Sequence, residues 1–187
     1  MSSPPWIECA VGLGSNLGNR LDNLRRARAA LAKSPHIRLT ATAPIYETRP
    51  VNVPPEFVHQ LFLNSLLLIE SAPDPERILD ILHAIEEQMG RDRTHEPRNG
   101  PRAIDLDLIY AGNITMDHPS LRLPHPRWSQ RAFVAQPLAD LRPNLILPRE
   151  TRTVRAILDA LDARDVRRFA DGPCWWLQPP CPGLRTD

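Results

Sequence analysis

Eleven residues near the middle of the chain, Gly100-Pro101-Arg102-Ala103-Ile104-Asp105-Leu106-Asp107-Leu108-Ile109-Tyr110, hold the residue types best suited to chemistry. In a strand, side chains alternate faces, so Asp105 and Asp107 point one way and Ile104, Leu106 and Leu108 the other. Two carboxylates that close repel each other unless a cation lies between them. A hard divalent ion with oxygen ligands, Mg²⁺ first of all, is the simplest solution. The arginine just upstream suits the phosphates that accompany such an ion. Alone, an Asp-Leu-Asp triplet would read as the solvent face of an edge strand. Here the run turns continuously apolar at Leu108-Ile109-Tyr110, which predicts a central strand. Two unpaired carboxylates are not placed there without a partner.

Other candidates surround this pair. The loop from Arg91 to Arg102 holds four arginines against two acids, and loops of that length are uncommon unless functional or disordered. It is expected to act as a mobile clamp over a polyphosphate. Arg102 precedes Asp105 by three residues and can reach the same phosphate. His83 and Glu86 share a helix face. His125 is pinned between Pro124 and Pro126, which fix the backbone around it, and Arg131 and Phe133 follow. The glycines of Gly12-Leu13-Gly14-Ser15-Asn16-Leu17-Gly18 resemble a dinucleotide fingerprint with its third glycine one place late. They are expected simply to make a turn. Lys33 is the only lysine. That excludes a Walker-type phosphate loop and leaves phosphate handling to arginine, histidine, metal and backbone.

These residues need elements to hold them. Residues 6–12 read as a strand and 13–16 as a loop. A helix follows from about Asn19 to Lys33, with Leu17, Leu21, Leu24 and Leu31 on one face. Residues 36–46 read as a second strand, 47–57 as a Pro-rich loop and 58–70 as a third strand. Asp74, Pro75 and Gly90 bound a second helix with the stripe Ile78, Leu82, Ile85 and Met89. Residues 103–111 form a fourth strand, and shorter helices follow near 133–141 and 152–162. The fold class is therefore α+β, a ferredoxin-like β-α-β-β-α-β core with additional C-terminal helices. Residues 1–171 are expected to form a single domain and 172–187 a Pro-rich irregular tail.

The bulk numbers agree with an ordinary soluble globular protein with a single core. The chain has 187 residues, 42% apolar, with a formal net charge of +1. Such a charge draws neither nucleic acid nor membrane. No apolar run approaches a bilayer span, and the N-terminus lacks the pattern of a signal peptide. Three cysteines without metal spacing fit a reducing cytoplasm.

Taken together, the motifs resemble the 6-hydroxymethyl-7,8-dihydropterin pyrophosphokinase family, the ATP-dependent enzymes of folate synthesis. The resemblance runs over residues 11–148. It includes Gly14-Ser15-Asn16, Tyr46-x-Thr48-x-Pro50, Phe62-Leu63-Asn64, Gly90-Arg91, Pro124-His125-Pro126 and Arg131-x-Phe133. Pro101-Arg102-x-x-Asp105-x-Asp107 is the most specific of them.

The resemblance implies transfer of the β,γ-pyrophosphoryl group of ATP to the pterin hydroxymethyl oxygen, with release of AMP. It implies that Asp105 and Asp107 bind two Mg²⁺ ions and that Arg91 and Arg102 assist transfer. ATP would be held by His83, Glu86, Arg93, Arg98, Arg102, His125, Arg131 and the backbone of Leu108. The pterin would be read by Thr48, Pro50, Val51 and Asn64 and stacked on Phe133. The implied partners are these two small molecules, with no nucleic acid and no membrane, and the chain is expected to act as a monomer. Asn99 stands where members carry an aromatic residue, Phe62 where tyrosine can occur, and Asn52 where glycine is frequent. Two rival readings are another Mg²⁺-dependent phosphoryl or nucleotidyl transferase on this fold, and an RNA-binding module with the same element order.

Overall fold

The computed structural model describes residues 5–51, 53–91, 100–170 and 175. Strand β1 (Ile7–Ser15) leads into helix α1 (Arg20–Lys33). Strands β2 (Arg38–Thr42), β3 (Ile45–Thr48) and β4 (Phe62–Ser71) follow, then helix α2 (Pro75–Gln88) and strand β5 (Asp105–Ala111). A small ribbon of β6 (Met116–Asp117) and β7 (Arg122–Leu123) precedes helices α3 (Ala132–Leu141) and α4 (Val154–Asp159), and β8 (Val166–Ala170) closes the series. The main sheet has the order β5-β1-β4-β3-β8, with β2 also on β4, and every pairing in it is antiparallel. The result is a mixed α/β fold with an antiparallel sheet and four helices among the described residues.

Local chemistry explains the elements. The Asn19 side chain accepts the Asp22 N–H and so caps α1, and Asp74 accepts the Arg77 N–H to cap α2. Pro75 occupies the first turn of α2, and Gly90, at φ +88°, follows its end. Alternation on the strands then builds two cores. Val11 and Leu13 of β1 and Leu63, Leu67 and Ile69 of β4 pack with Leu24, Leu31, Ile78 and Leu82 of α1 and α2. Leu66 and Leu68 of β4 pack with Val134, Leu138, Val154 and Ile157 of α3 and α4. The sheet therefore has helices on both faces.

Several expectations need correction. The first strand runs on to Ser15, through the glycines expected to form a loop. The second strand is interrupted at Ala43-Pro44, because proline cannot donate to a ladder. The third strand begins only at Phe62, after a 3₁₀ turn at Pro55–Phe57. Leu17 is 50% exposed rather than part of the α1 face. The last helix is shorter than expected, and β6, β7 and β8 are additions. Most consequentially, β5 is an edge strand that pairs with β1 alone among the described strands. Its C-terminal half is apolar because each face meets a core, Leu108 on the α2 side and Ile109 and Tyr110 on the α3 side. A bulge opposite Ala10 and Val11 makes that switch. The His125 N–H covers the strand's outer edge by donating to Ile109 O at 2.8 Å. Trp175, inside the expected irregular tail, is fully buried.

Candidate active site

The site grows from the face of the sheet turned toward α3. Strand pairing sets Asp105 beside Gly14, Gly14 beside Asn64, and Asn64 beside Tyr46. The next row sets Asp107 beside Gly12 and Gly12 beside Leu66. Side chains in such rows share a face. The glycines contribute no side chain, so the sheet has a low floor between the carboxylates and Asn64. A Cβ on Gly14 would stand 3.1 Å from Asn64 Oδ1. Over this floor lies a cavity of about 180 Å³. Asp105 and Asp107 line one side, Thr48, Asn64 and Phe62 the other, and Phe133 comes from α3. Pro50 and Val51 stand at its margin, with Arg102, Arg127 and Arg131 also in the lining.

The charges are arranged in alternation. Arg91 Nη1 donates to Asp105 Oδ1 at 2.5 Å, and Arg102 Nη2 lies 2.8 Å from Asp105 Oδ2. Arg91 also pairs with Glu86, which is 1% exposed. Glu86 Oε1 in turn accepts the Leu106 N–H at 2.7 Å, so one carboxylate fixes both Arg91 and the backbone between the two aspartates. Burial pushes the Asp105 carboxyl up, but Arg102 and Arg91 outweigh it and hold it below the usual range. Asp107 has no such pair of clamps. Burial and the neighbouring Asp105 charge raise it to about 6, opposed by Arg131, whose Nη1 is 3.9 Å from Asp107 Oδ2.

Arg102 is fixed from behind. Its N–H donates to Asn16 Oδ1 at 2.8 Å, while the Asn16 N–H donates to Arg102 O at 3.2 Å. Its guanidinium lies 5.3 Å from the Phe62 ring centre, so Phe62 serves as a platform for this cation. Arg131 lies 5.4 Å from the Phe133 ring centre in the same manner. Asn64 Nδ2 donates to Thr48 Oγ1 at 2.7 Å, and both residues are buried. His125 Nδ1 accepts the Arg127 N–H at 3.2 Å. Burial and the cations Arg131 and Arg127 lower His125 to about 4, so it is neutral near pH 7.

The structure thus brings together Thr48, Pro50, Val51, Asn64, Arg102, Asp105, Asp107, Arg131 and Phe133 around one cavity. Arg91 joins them through Asp105. Leu108 turns its side chain into the α2 core, leaving only backbone to offer a ligand. Glu86 departs from expectation, since it is buried against Arg91 and β5 rather than displayed on an open helix face. His83, half-buried, and His125 do not line the cavity. Arg93 and Arg98, the clamp formed by the rest of their loop, Asn99 and Asn52 lie outside the described residues. Gly12, Gly14, Arg127 and Gln130 also line the cavity. The two glycines could have been found in the sequence, because they continue the alternation of Cys9, Val11 and Leu13.

A model of the 7,8-dihydro-6-hydroxymethylpterin-pyrophosphokinase (HPPK) family matches residues 10–143. The chain belongs to this family. It is accordingly an enzyme of the pyrophosphokinase type, and two relatives resemble it along most of their length. The 2-amino-4-hydroxy-6-hydroxymethyldihydropteridine pyrophosphokinase of Pseudomonas aeruginosa is 38% identical over 159 residues, 85% of this chain and 94% of the relative. The enzyme of the same name from Synechocystis sp. is 34% identical over 163 residues, 87% of this chain and 80% of the relative. The solved structure of wild-type HPPK-DHPS from Plasmodium falciparum with pteroate superposes with a TM-score of 0.66 at 13% identity. That match covers 85% of this chain and 43% of the other, and it establishes likeness of fold alone.

Proposed function

We propose that the protein transfers the β,γ-pyrophosphoryl group of ATP to the hydroxymethyl oxygen of 6-hydroxymethyl-7,8-dihydropterin, releasing AMP, in tetrahydrofolate biosynthesis. The observation that carries this reading is the row Asp105–Gly14–Asn64 on one face of the sheet. It sets a phosphate-handling centre and a pocket for a flat heterocycle at opposite ends of one glycine floor. In this reading the core is ferredoxin-like, supported by the order β5-β1-β4-β3 with α1 and α2 packed on one face. Residues 1–171 act as one domain, and the protein works as a monomer in the cytoplasm. A buried free thiol at Cys9 suits a reducing compartment. Among the described residues no helix is long and apolar enough to cross a membrane.

The roles follow from the chemistry of each group. Asn64 and Thr48 present polar atoms to the pterin edge, the segment through Pro50 and Val51 closes the margin, and Phe133 stacks on the ring. A cavity that combines apolar walls with convergent polar groups suits such a ligand. Arg91, Arg102 and Arg131 hold the phosphates. The Nε of Arg102 is buried without a hydrogen-bond partner among the described residues, so this guanidinium has donor capacity to spare. His83, Glu86, Arg93, Arg98, His125 and the Leu108 backbone complete the ATP site, with Glu86 acting through its hold on Arg91. Asp105 and Asp107 would hold two Mg²⁺ ions. The donor set fits, because Mg²⁺ takes one or two protein carboxylates and completes its shell with phosphate oxygens and water. The raised Asp107 is also what two like charges without a cation produce. When bound, the ions supply charge neutralisation across the triphosphate. Arg91 and Arg102, which here occupy both oxygens of Asp105, exchange that partner for phosphate as the nucleotide enters.

The test is AMP release from ATP and Mg²⁺ with and without the pterin. Pterin-dependent AMP, matched one to one by pterin diphosphate, is expected. Release of ADP, or AMP release indifferent to the pterin, would overturn the reading.

A further inference from the structure

The family match ends at residue 143, yet the chain beyond it adds to the sheet that carries the pterin wall. Strand β8 pairs with β3 in the register Thr48↔Val166, Glu47↔Arg167 and Tyr46↔Arg168. It therefore lies along the strand that ends in Thr48, the partner of Asn64. A second cavity, about 250 Å³, sits between these strands and residues 58–61, with Thr48 on one wall and Asp165 and Arg167 on another. Arg49 and Asp165 form an exposed ion pair at 3.5 Å that joins the end of β3 to the start of β8.

Trp175 adds a second hold. It is fully buried among the residues of the α1/α2 core. Its Nε1–H donates to Ala43 O at 3.0 Å, and its own carbonyl accepts from Arg25 Nε of α1. Ala43 stands in the break between β2 and β3. The same carbonyl accepts Ser65 Oγ–H at 3.1 Å, and the Ala43 N–H donates to Leu66 O at 2.8 Å. Ala43 is thus the point where β3 sets off toward the site, and Trp175 ties that point to α1. The strand that presents Thr48 is held at its start by Trp175 and along its length by β8.

We propose that β8 and Trp175 form a clasp that positions the pterin wall of the active site, with Trp175 a positioning residue for Thr48 and Asn64. This rests on the functional reading above. The carboxylates Asp105 and Asp107 stand on β5, at the opposite edge of the sheet from β8, and the arginines Arg91, Arg102 and Arg131 lie outside β3 and β8, so the clasp acts on one substrate and not on the other.

The experiment is steady-state kinetics on the full chain for the parent, Trp175→Ala and Trp175→Phe, at a temperature where all are folded. KM for the pterin is taken at saturating ATP, and KM for ATP at saturating pterin. Trp175→Ala should raise the pterin KM about tenfold and leave the ATP KM within about twofold. Trp175→Phe keeps a ring in place but loses the N–H to Ala43 O, and should fall between. If the alanine variant does not fold, the phenylalanine variant decides alone. Folded variants with the parental pterin KM would overturn the clasp, as would equal losses for both substrates. Absence of pterin turnover in the parent would instead overturn the functional reading, and the clasp's role with it.

Discussion

Asp105 and Asp107 are two residues apart on one strand, yet they sit in opposite electrostatic settings. Asp105 is clamped by Arg91 and Arg102. Asp107 faces that carboxylate with Arg131 and, more weakly, Arg102 in compensation and is raised to about 6, first by burial and then by the Asp105 charge. A carboxyl raised on folding destabilises the fold above that pH, and the penalty is relieved as pH falls from about 6 toward the ordinary aspartate value of 3.8. Asp107→Asn should therefore stabilise the metal-free protein at pH 7.5. With the side chain 41% exposed, solvent screening reduces the gain to about 1 kcal/mol. That is a rise in Tm of about 2–4 °C for a chain of this size. At pH 4 the difference should vanish. The same variant should lose pyrophosphoryl transfer by orders of magnitude. Thermal melts at the two pH values check the first part, and a lower Tm at pH 7.5 would mean that the Arg131 pair dominates. Asp105→Ala should also abolish turnover, but without the gain, since it leaves Arg91 and Arg102 facing each other without their shared anion. A variant with higher Tm than the parent at pH 7.5 would contradict that asymmetry.

At the scale of elements, the proposed pterin wall depends on a strand that leaves space. Gly14 has ordinary strand backbone, so alanine is tolerated there conformationally. Its Cβ, however, would meet Asn64 Oδ1 at 3.1 Å and Phe62 at 3.6 Å. Asn64 is buried and bonded to Thr48, so the small shift it must make is taken up in that bond. Gly14→Ala should raise the pterin KM about tenfold or more, with little change in the ATP KM or in Tm. Steady-state kinetics with each substrate varied in turn would show it. An unchanged pterin KM would mean that the floor has more play than its geometry indicates. This glycine also shows where the sequence was legible and where it was not. The helices could be read because their caps are local chemistry, Asn19 and Asp74 each bonding the backbone three residues on. The carboxylate pair was legible because period-two alternation needs no tertiary information. Gly14 is misread as part of a loop because the turn preference of glycine is a local rule, whereas its place inside β1 comes from neighbours on β4 and β5. The edge position of β5 was misread for the same reason. Helices covering both its faces produce an apolar run like that of a central strand. β8 carries two charged positions in five, Arg167 and Arg168, and declares itself only through its partner β3.

At the scale of the whole molecule, the site lies between the sheet and α3 and belongs to neither layer alone. Asp105, Gly14, Asn64 and Thr48 come from a sheet packed on α1 and α2, while Phe133 comes from α3, whose core lies on the other face. The Tyr46 hydroxyl donates to Asp140 of α3 at 2.5 Å and joins β3 to that second core. A ligand between Asp105 and Phe133 therefore touches both the sheet and the α3 layer packed on it. If residues 1–171 fold as one cooperative unit, its binding energy must appear in a single transition. Heating without ligand should give one melt, coincident by near-UV and far-UV signals. ATP, Mg²⁺ and the unreactive oxidised pterin at about 100 times their dissociation constants should add about 2.7 kcal/mol per independently saturated site and move the whole transition upward together. Chelating the metal should reverse the part due to ATP, because arginines alone must then compensate four phosphate charges beside two carboxylates. Two separate melts, with only one displaced by ligand, would show that the α3/α4 layer unfolds independently. Phe133 would then be supplied to the pterin by a mobile layer, and stacking would depend on docking of that layer as well as on the shape of the cavity.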